Sequence, residues 1–397
     1  MEPKTILCIS CYYKGYDFME QMHRLGNKVI LITSENIKDK NWPWHALDEV
    51  FYMQEESPSV WNLTHLVQGF SYLMQHRKID AVVALDDYDV EKAALLRETF
   101  RISGMGQTTH RYFRDKLAMR QKALKAGIRV PEFTAIFNDQ EVEEFTQKVS
   151  PPWVLKPRSE ASASGIKKIF DKEKLWEAIK GLEEQRHLFL LESFKPGDVF
   201  HVDSLTYNEK VVFTSASKYL SPPLQVSHQG GVFRSKTLDI NSSEFKSLES
   251  MGAALLKEFG LQNGATHTEF IHGEDNEWYF LETSSRVGGA HIPDLVEAST
   301  GINIWHEWAN IEDALLKNKE YKIKERKNNF AGLLIALSKN DNPSMEEFQS
   351  PEIEKFLHIP NHIGMVFKSK SSDQIDKSLD SAMEKVLENY LQILPPK

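Results

Sequence analysis

The stretch GATHTEFIHGEDNEWYFLETSSRVGG, from Gly264 to Gly289, reads as two strands about a polar centre, and its register constrains the fold more than any other part of the sequence. Alternation places His267 and Glu269 on one face of the first strand and Phe280, Glu282 and Ser284 on one face of the second. Asp275 and Asn276 lie midway between the glutamates, and both types tolerate the positive φ that a two-residue hairpin turn requires. That turn sets Glu269 opposite Glu282 with Cβ atoms about 5 Å apart. A four-residue loop would make them diagonal neighbours, and a three-residue loop would separate their faces. Two carboxylates so placed repel by about 3 kcal/mol at an effective dielectric of ~20, a large part of a protein's net stability. Three remedies are open: one carboxyl takes a proton, an arginine lies between them, or both bind a divalent cation. Arg286 close by would give a charge-compensated surface hairpin. Alternatively, oxygen ligands suit a hard cation such as Mg²⁺, with Arg286 and the Gly288-Gly289 backbone beside an anion.

At 397 residues and 41% hydrophobic content, the chain can bury two or three cores. Its formal net charge of -9, without a run of basic residues, argues against nucleic acid or an anionic membrane as partner and for a small molecule. The opening MEPKTILCISCYY fits a first strand, no apolar run approaches a membrane span, and the expected location is cytoplasmic. Cys8 and Cys11 form a lone C-x-x-C, which admits a redox pair or two small residues closing a buried strand.

TILCIS, GYDFMEQMHRLG and KVILITS read as strand, helix and strand, and LVQGFSYLMQHRK, IDAVVALDD and DVEKAALLRETF as helix, strand and helix. The first hundred or so residues therefore predict a parallel α/β layer whose ligands bind at the carboxyl ends of strands, near Asp86 and Asp87. From Thr108 the pattern turns α+β and largely antiparallel, with WVLKP, LFLLESF, VFHVDSL and KVVFTSASK as strands and a helix from Glu244 to Phe259. AGLLIALS, HIGMVFKS and SDQIDKSLDSAMEKVLENYL predict a closing strand, strand and helix.

Four pieces, in order, resemble the ATP-grasp superfamily. Arg114-Asp115-Lys116 opens a helix ending KAGIRVPEF; PPWVLKPRSEASASGI is similar to that family's lysine strand and phosphate loop; LLESFKPGDVFHVDSL is similar to its adenine hinge; and the glutamate pair followed by SSRVGG resembles its metal-binding end. GATHTEF with SSRVGGAHIPDLVEASTGINI is most similar to the carboxylate-amine ligases of the L-amino acid ligase kind. The resemblance covers roughly residues 1 to 395. It implies a Rossmann-like domain over 1–107, an ATP-grasp lobe with lysine strand and phosphate loop over 108–195, a central lobe with the metal site over 196–320 and a C-terminal subdomain over 321–397.

The resemblance also implies roles. Lys116 and Lys156 would meet phosphate, with Ser162, Ser164 and Gly165 in the loop; Glu192, Ser193 and Phe194 would end a buried strand with backbone groups free to read adenine, although Glu192 could equally be an exposed strand-end acid. Glu269 and Glu282 would hold Mg²⁺ or Mn²⁺, with Ser284 at the family's asparagine position. Arg286, Gly288 and Gly289 would face a substrate carboxylate or acyl phosphate. His267 would orient a substrate or take a proton from the incoming amine, or serve only as a core residue. Val199 stands where relatives often have a ribose-binding glutamate, which leaves that contact unassigned, and the loop His228-Gln229-Gly230-Gly231 has no assigned role. The implied activity is ADP-forming ligation of a small carboxylate and an amine by a homodimer using ATP. A bicarbonate-phosphorylating carboxylase, a purine-pathway ligase and a non-catalytic nucleotide-binding module are the rivals.

Overall fold

The computed structural model describes residues 2–160, 164–222 and 231–392. TILCIS forms β1 (Thr5–Ser10), flanked in parallel by β2 (Lys28–Ser34) and, further along the chain, by Ala81–Ala84, with β3 (Glu49–Met53) at one edge. β4 (Glu55–Ser57) and β5 (Val60–Trp61) make a short ribbon, so Ala81–Ala84 is β6 and the parallel sheet runs β3-β2-β1-β6. β1 is buried on both faces, as a parallel sheet covered by helices requires. Ile6 and Cys8 pack with Phe18, Met19 and Met22 of the helix Tyr16–Arg24, whereas Leu7, Ile9 and Cys11 pack with Leu66, Phe70 and Val90 on the other side. The two cysteines therefore join different cores, and burial raises both thiols far above their ordinary range, which removes the redox-pair reading.

A second, antiparallel sheet has the order β7-β10-β8-β9, made of β7 (Phe133–Ala135), β8 (Trp153–Pro157), β9 (Lys167–Ile169) and β10 (Phe189–Ser193). Trp153, Leu155 and Leu191 face a core completed by Val142, Phe145, Leu175 and Ile179 from two helices. The alternate residues Lys156 and Glu192 share the opposite face.

The largest sheet is β15-β14-β11-β12-β13-β16-β18-β17, from β11 (Gly197–Tyr207), β12 (Lys210–Tyr219), β13 (Val232–Thr237), β14 (Gly264–Gly273), β15 (Trp278–Ser284), β16 (Phe330–Leu337), β17 (Ile353–Phe356) and β18 (His362–Ser369). The strands after residue 321 continue this sheet through the β13–β16 ladder, and their helix Ser372–Asn389 packs Ile375 and Leu379 over Leu334 and Met365. Phe200, Val202, Ala216, Phe270 and Phe280 form one apolar face beneath the helix Ser243–Phe259. The opposite face carries a polar row across four ladders: Glu282, Glu269, His201, Ser217 and Thr237. One side of the sheet is thus core, while the other carries this polar row beside a second core that includes Leu205, Ala265 and Leu333.

Candidate active site

Glu269 does pair with Glu282, although not by the predicted turn. The loop holds three residues, with Gly273 N–H donating to the Glu277 carbonyl at 2.8 Å and Asn276 alone taking positive φ, 62°. This loop gives the register Phe270↔Phe280, and unbroken it would have separated the glutamates. A β-bulge at Leu281 inserts one residue and restores the pairing. Phe280 consequently faces the core with Phe270, while Glu282 turns to the polar face; the expectation that these two share a face is corrected by the bulge.

Arg286 does not lie between the carboxylates. Glu282 pairs with Lys116 Nζ at 2.9 Å, and Lys116 also donates to the Glu160 carbonyl at 2.7 Å. Burial opposes ionisation of Glu282, but Lys116 and Lys156 outweigh it and hold the carboxyl below its ordinary value. Glu269 accepts the Tyr219 hydroxyl at 2.9 Å and lies 3.5 Å from His267 Nε2. Each acid has its own partner, and both present oxygen donors on facing strands, which suits a hard divalent cation. Lys116 is placed by its helix, Lys116–Lys125, whose N-cap Asp115 accepts from the N–H of Leu117 and Ala118 and is paired with Arg158.

Lys156 and Glu192 form a buried ion pair, and Arg120 closes the network with Nε and Nη2 at 3.1 and 3.0 Å from Glu192 Oε2. Burial lowers Lys156 to about 8, only partly offset by Glu192. Glu192 is therefore not an exposed strand-end acid. Two hinge N–H groups are also engaged: Ser193 donates to the Glu132 carbonyl at 2.8 Å and Phe194 to the Pro152 carbonyl at 3.0 Å, which corrects the N–H part of the expectation of free backbone groups there. The N–H of Lys195 is the first beyond them with no partner among the described residues.

Asp87 reaches across from the parallel sheet. It follows β6 at the point where strand order reverses, beside β1, where open α/β sheets form their ligand crevice. Its carboxylate receives Arg286 through Nε at 2.8 Å and through Nη2, and also accepts the Ser284 hydroxyl. Arg286 Nη1 donates to the Val287 carbonyl at 2.9 Å. Burial would raise Asp87, but Arg286 and Ser284 hold it far below the ordinary carboxylate range. Any anion taken up by Arg286 shares the guanidinium with Asp87. Asp86, beside it, is paired with Lys14. Gly289 faces open space, with a Cβ no nearer than 4.0 Å to Lys14 Nζ, whereas a Cβ on Gly288 would sit 2.9 Å from Asp203 Oδ1 and 3.1 Å from His267 Nδ1. The lack of a side chain at Gly288 thus makes room for the histidine pair.

His267 Nδ1 lies 2.9 Å from Asp203 Oδ1, and Asp203 Oδ2 lies 2.8 Å from His201 Nδ1, whose Nε2 meets Ser235 Oγ at 2.7 Å. Burial would lower His267, but the Asp203 carboxylate raises it to about 9, so the ring is a cation near neutrality. Arg120, Asp203, His201 and Tyr219 escaped the sequence reading. The alternation of VFHVDSL holds a signal for His201 and Asp203, and Arg120 falls four residues after Lys116 on one helix face. Ser164 and Gly165 are exposed at a turn, Gly165 with φ 69°, while Ser162 and His228 lie outside the described residues. Among the described residues no helix is long and apolar enough to cross a membrane.

Residues 149–294 match the family model described as ATP-grasp domain. The L-arginine-specific L-amino acid ligase of Bacillus subtilis is 25% identical over 273 residues, 67% of this chain and 65% of that protein. The D-alanine–D-alanine ligase of Neisseria gonorrhoeae is 21% identical over 44% of this chain and 59% of its own, so the alignments span under two thirds of these relatives. The crystal structure of an L-amino acid ligase from Bacillus licheniformis superposes with a TM-score of 0.74 at 19% identity, covering 100% of both chains. The chain thus carries an ATP-grasp domain over residues 149–294, within a fold shared along its whole length with an L-amino acid ligase.

Proposed function

We propose that the chain is an ATP-dependent, ADP-forming ligase joining a small carboxylate, such as an amino acid, to an amine. The observation that carries this reading is the bulge-restored pairing of Glu269 with Glu282, ringed by Lys116, Lys156 and Arg286. In the proposed reaction a substrate carboxylate oxygen attacks the γ-phosphorus of ATP, the bond to the β,γ-bridging oxygen breaks, and ADP leaves. The amine nitrogen then attacks the acyl carbon, phosphate departs, and the nitrogen loses a proton to water. Glu269 and Glu282 would hold Mg²⁺ or Mn²⁺, which when bound would neutralise developing phosphate charge.

The protein's own residues set the electrostatics. Lys156 is held by Glu192 as a fixed positive charge, and Lys116, paired with Glu282, would exchange that partner for a phosphate oxygen. Arg286 supplies a planar fork for the substrate carboxylate or acyl phosphate, with Asp87 fixing its orientation. His267, already protonated, orients and neutralises; its charge makes it a poor acceptor for the amine's proton. The similarity to the L-amino acid ligase of Bacillus subtilis supports amino-acid substrates.

The test is phosphate and ADP release from ATP with single amino acids and then with pairs. Release that needs two substrates, with a coupled product seen by mass spectrometry, supports ligation. Release that needs bicarbonate supports the carboxylase rival. ATP binding without release under any of these conditions leaves the nucleotide-binding module.

A further inference from the structure

We infer that Arg120 is a positioning residue that ties the phosphate-facing lysine to the register of the metal-binding hairpin; this rests on the ligase reading above. Its side chain is fully buried, at 0% exposure, in the middle of the helix Lys116–Lys125. A buried guanidinium is costly unless its donors are engaged. Those of Arg120 reach two separate sheets. Nε donates to Glu192 on β10, with Nη2 in ion-pair contact at 3.0 Å, and Glu192 in turn holds Lys156 on β8. Nη1 donates to the carbonyl of Leu281 on β15, with the guanidinium 5.8 Å from the Phe280 ring.

Leu281 is the residue that the bulge leaves unpaired. Were the register Phe270↔Phe280 to continue without it, Glu269 would oppose Leu281, and Glu282 would pair with Thr268 on the apolar side. The Leu281 carbonyl, displaced from the ladder, is fixed by Arg120, while Lys116 one helical turn earlier binds Glu282. One helix face therefore sets both the bulge and the carboxylate it exposes. A lysine at position 120 would keep a positive charge beside Glu192, but its single ammonium could not also span to the Leu281 carbonyl.

The experiment measures Mn²⁺ binding by the loss of the free-ion paramagnetic signal, with ADP affinity measured separately in chelator, for the wild type, Arg120→Lys and Arg120→Met. Arg120→Lys is expected to weaken Mn²⁺ about tenfold while ADP affinity in chelator stays within about threefold. Arg120→Met is expected to weaken both at least tenfold; if it does not fold, Arg120→Lys decides alone. Met119→Leu, on the same helix and buried, should leave both affinities unchanged even where it lowers stability. In Arg120→Lys, metal affinity as in the wild type, or equal losses of metal and nucleotide, would overturn the role assigned to Arg120. A wild type that binds neither ADP nor Mn²⁺ would instead remove the ligase reading itself.

Discussion

Two groups of charged residues border the site, and they are built differently. Lys156, Glu192 and Arg120 lie sealed between sheets, with side chains 0 to 4% exposed, and each charge is met by another within the chain. Glu282 and Lys116 form a half-open pair, 35% and 11% exposed, beside Glu269 at 13%. A sealed network holds its geometry because breaking it strands a charge without water. An open pair can trade its partner for a ligand at little cost, since solvent screens what is left. The contrast assigns rigidity to the lysine strand and exchange to the glutamate pair.

The largest effect should follow from breaking the sealed group. Glu192→Ala leaves Lys156 and Arg120 buried without a counter-charge and should cost about 3–5 kcal/mol in urea unfolding. A loss below ~1 kcal/mol would show that water reaches the network. Glu282→Gln should behave in the opposite manner, changing unfolding by no more than ~1 kcal/mol while lowering kcat by about 10²–10³, as removal of one preorganised charge-stabilising group does. Equal losses of stability in the two variants would erase the distinction.

A smaller effect sharpens the comparison through pH. His267 is raised from 6.5 to about 9, so its stabilising contribution is fully present below pH 6.5 and is lost as pH rises through 9. Lys156 acts in the reverse sense: lowered from 10.5 to about 8, it costs stability below pH 8 and returns it between 8 and 10.5. Between pH 6.5 and 8 only His267, of these two, contributes a slope, and wild-type stability should fall there by up to about 2 kcal/mol relative to His267→Asn. Parallel curves for wild type and variant would place the proton elsewhere.

Much of this organisation was legible in the sequence because it rests on local pattern. The runs TILCIS, KVILITS and VFHVDSL became strands within a residue or two, and the Asp115 cap before Lys116 marks the start of its helix. The facing of Glu269 and Glu282 was read correctly through a wrong turn: a three-residue loop and a bulge cancel, and nothing in the strand's alternation reports an inserted Leu281. The partners of charge were the least legible. Asp87 meets Arg286 from 199 positions away and Arg120 meets the Leu281 carbonyl from 161, so only the assembled sheets bring them together. Of the backbone groups expected to be free at the hinge, the N–H of Ser193 and of Phe194 are consumed by the carbonyls of Glu132 and Pro152 for the same reason.

The central claim is that the Glu269–Glu282 pair, in the working protein, binds a divalent cation that arrives with nucleotide. Calorimetric titration of ADP into the wild type and Glu282→Gln, each with Mg²⁺ and with chelator, tests it most directly. Mg²⁺ should tighten ADP binding to the wild type by at least about tenfold and leave Glu282→Gln, still folded by circular dichroism, nearly indifferent to the metal. An equal Mg²⁺ enhancement in both proteins would contradict the account.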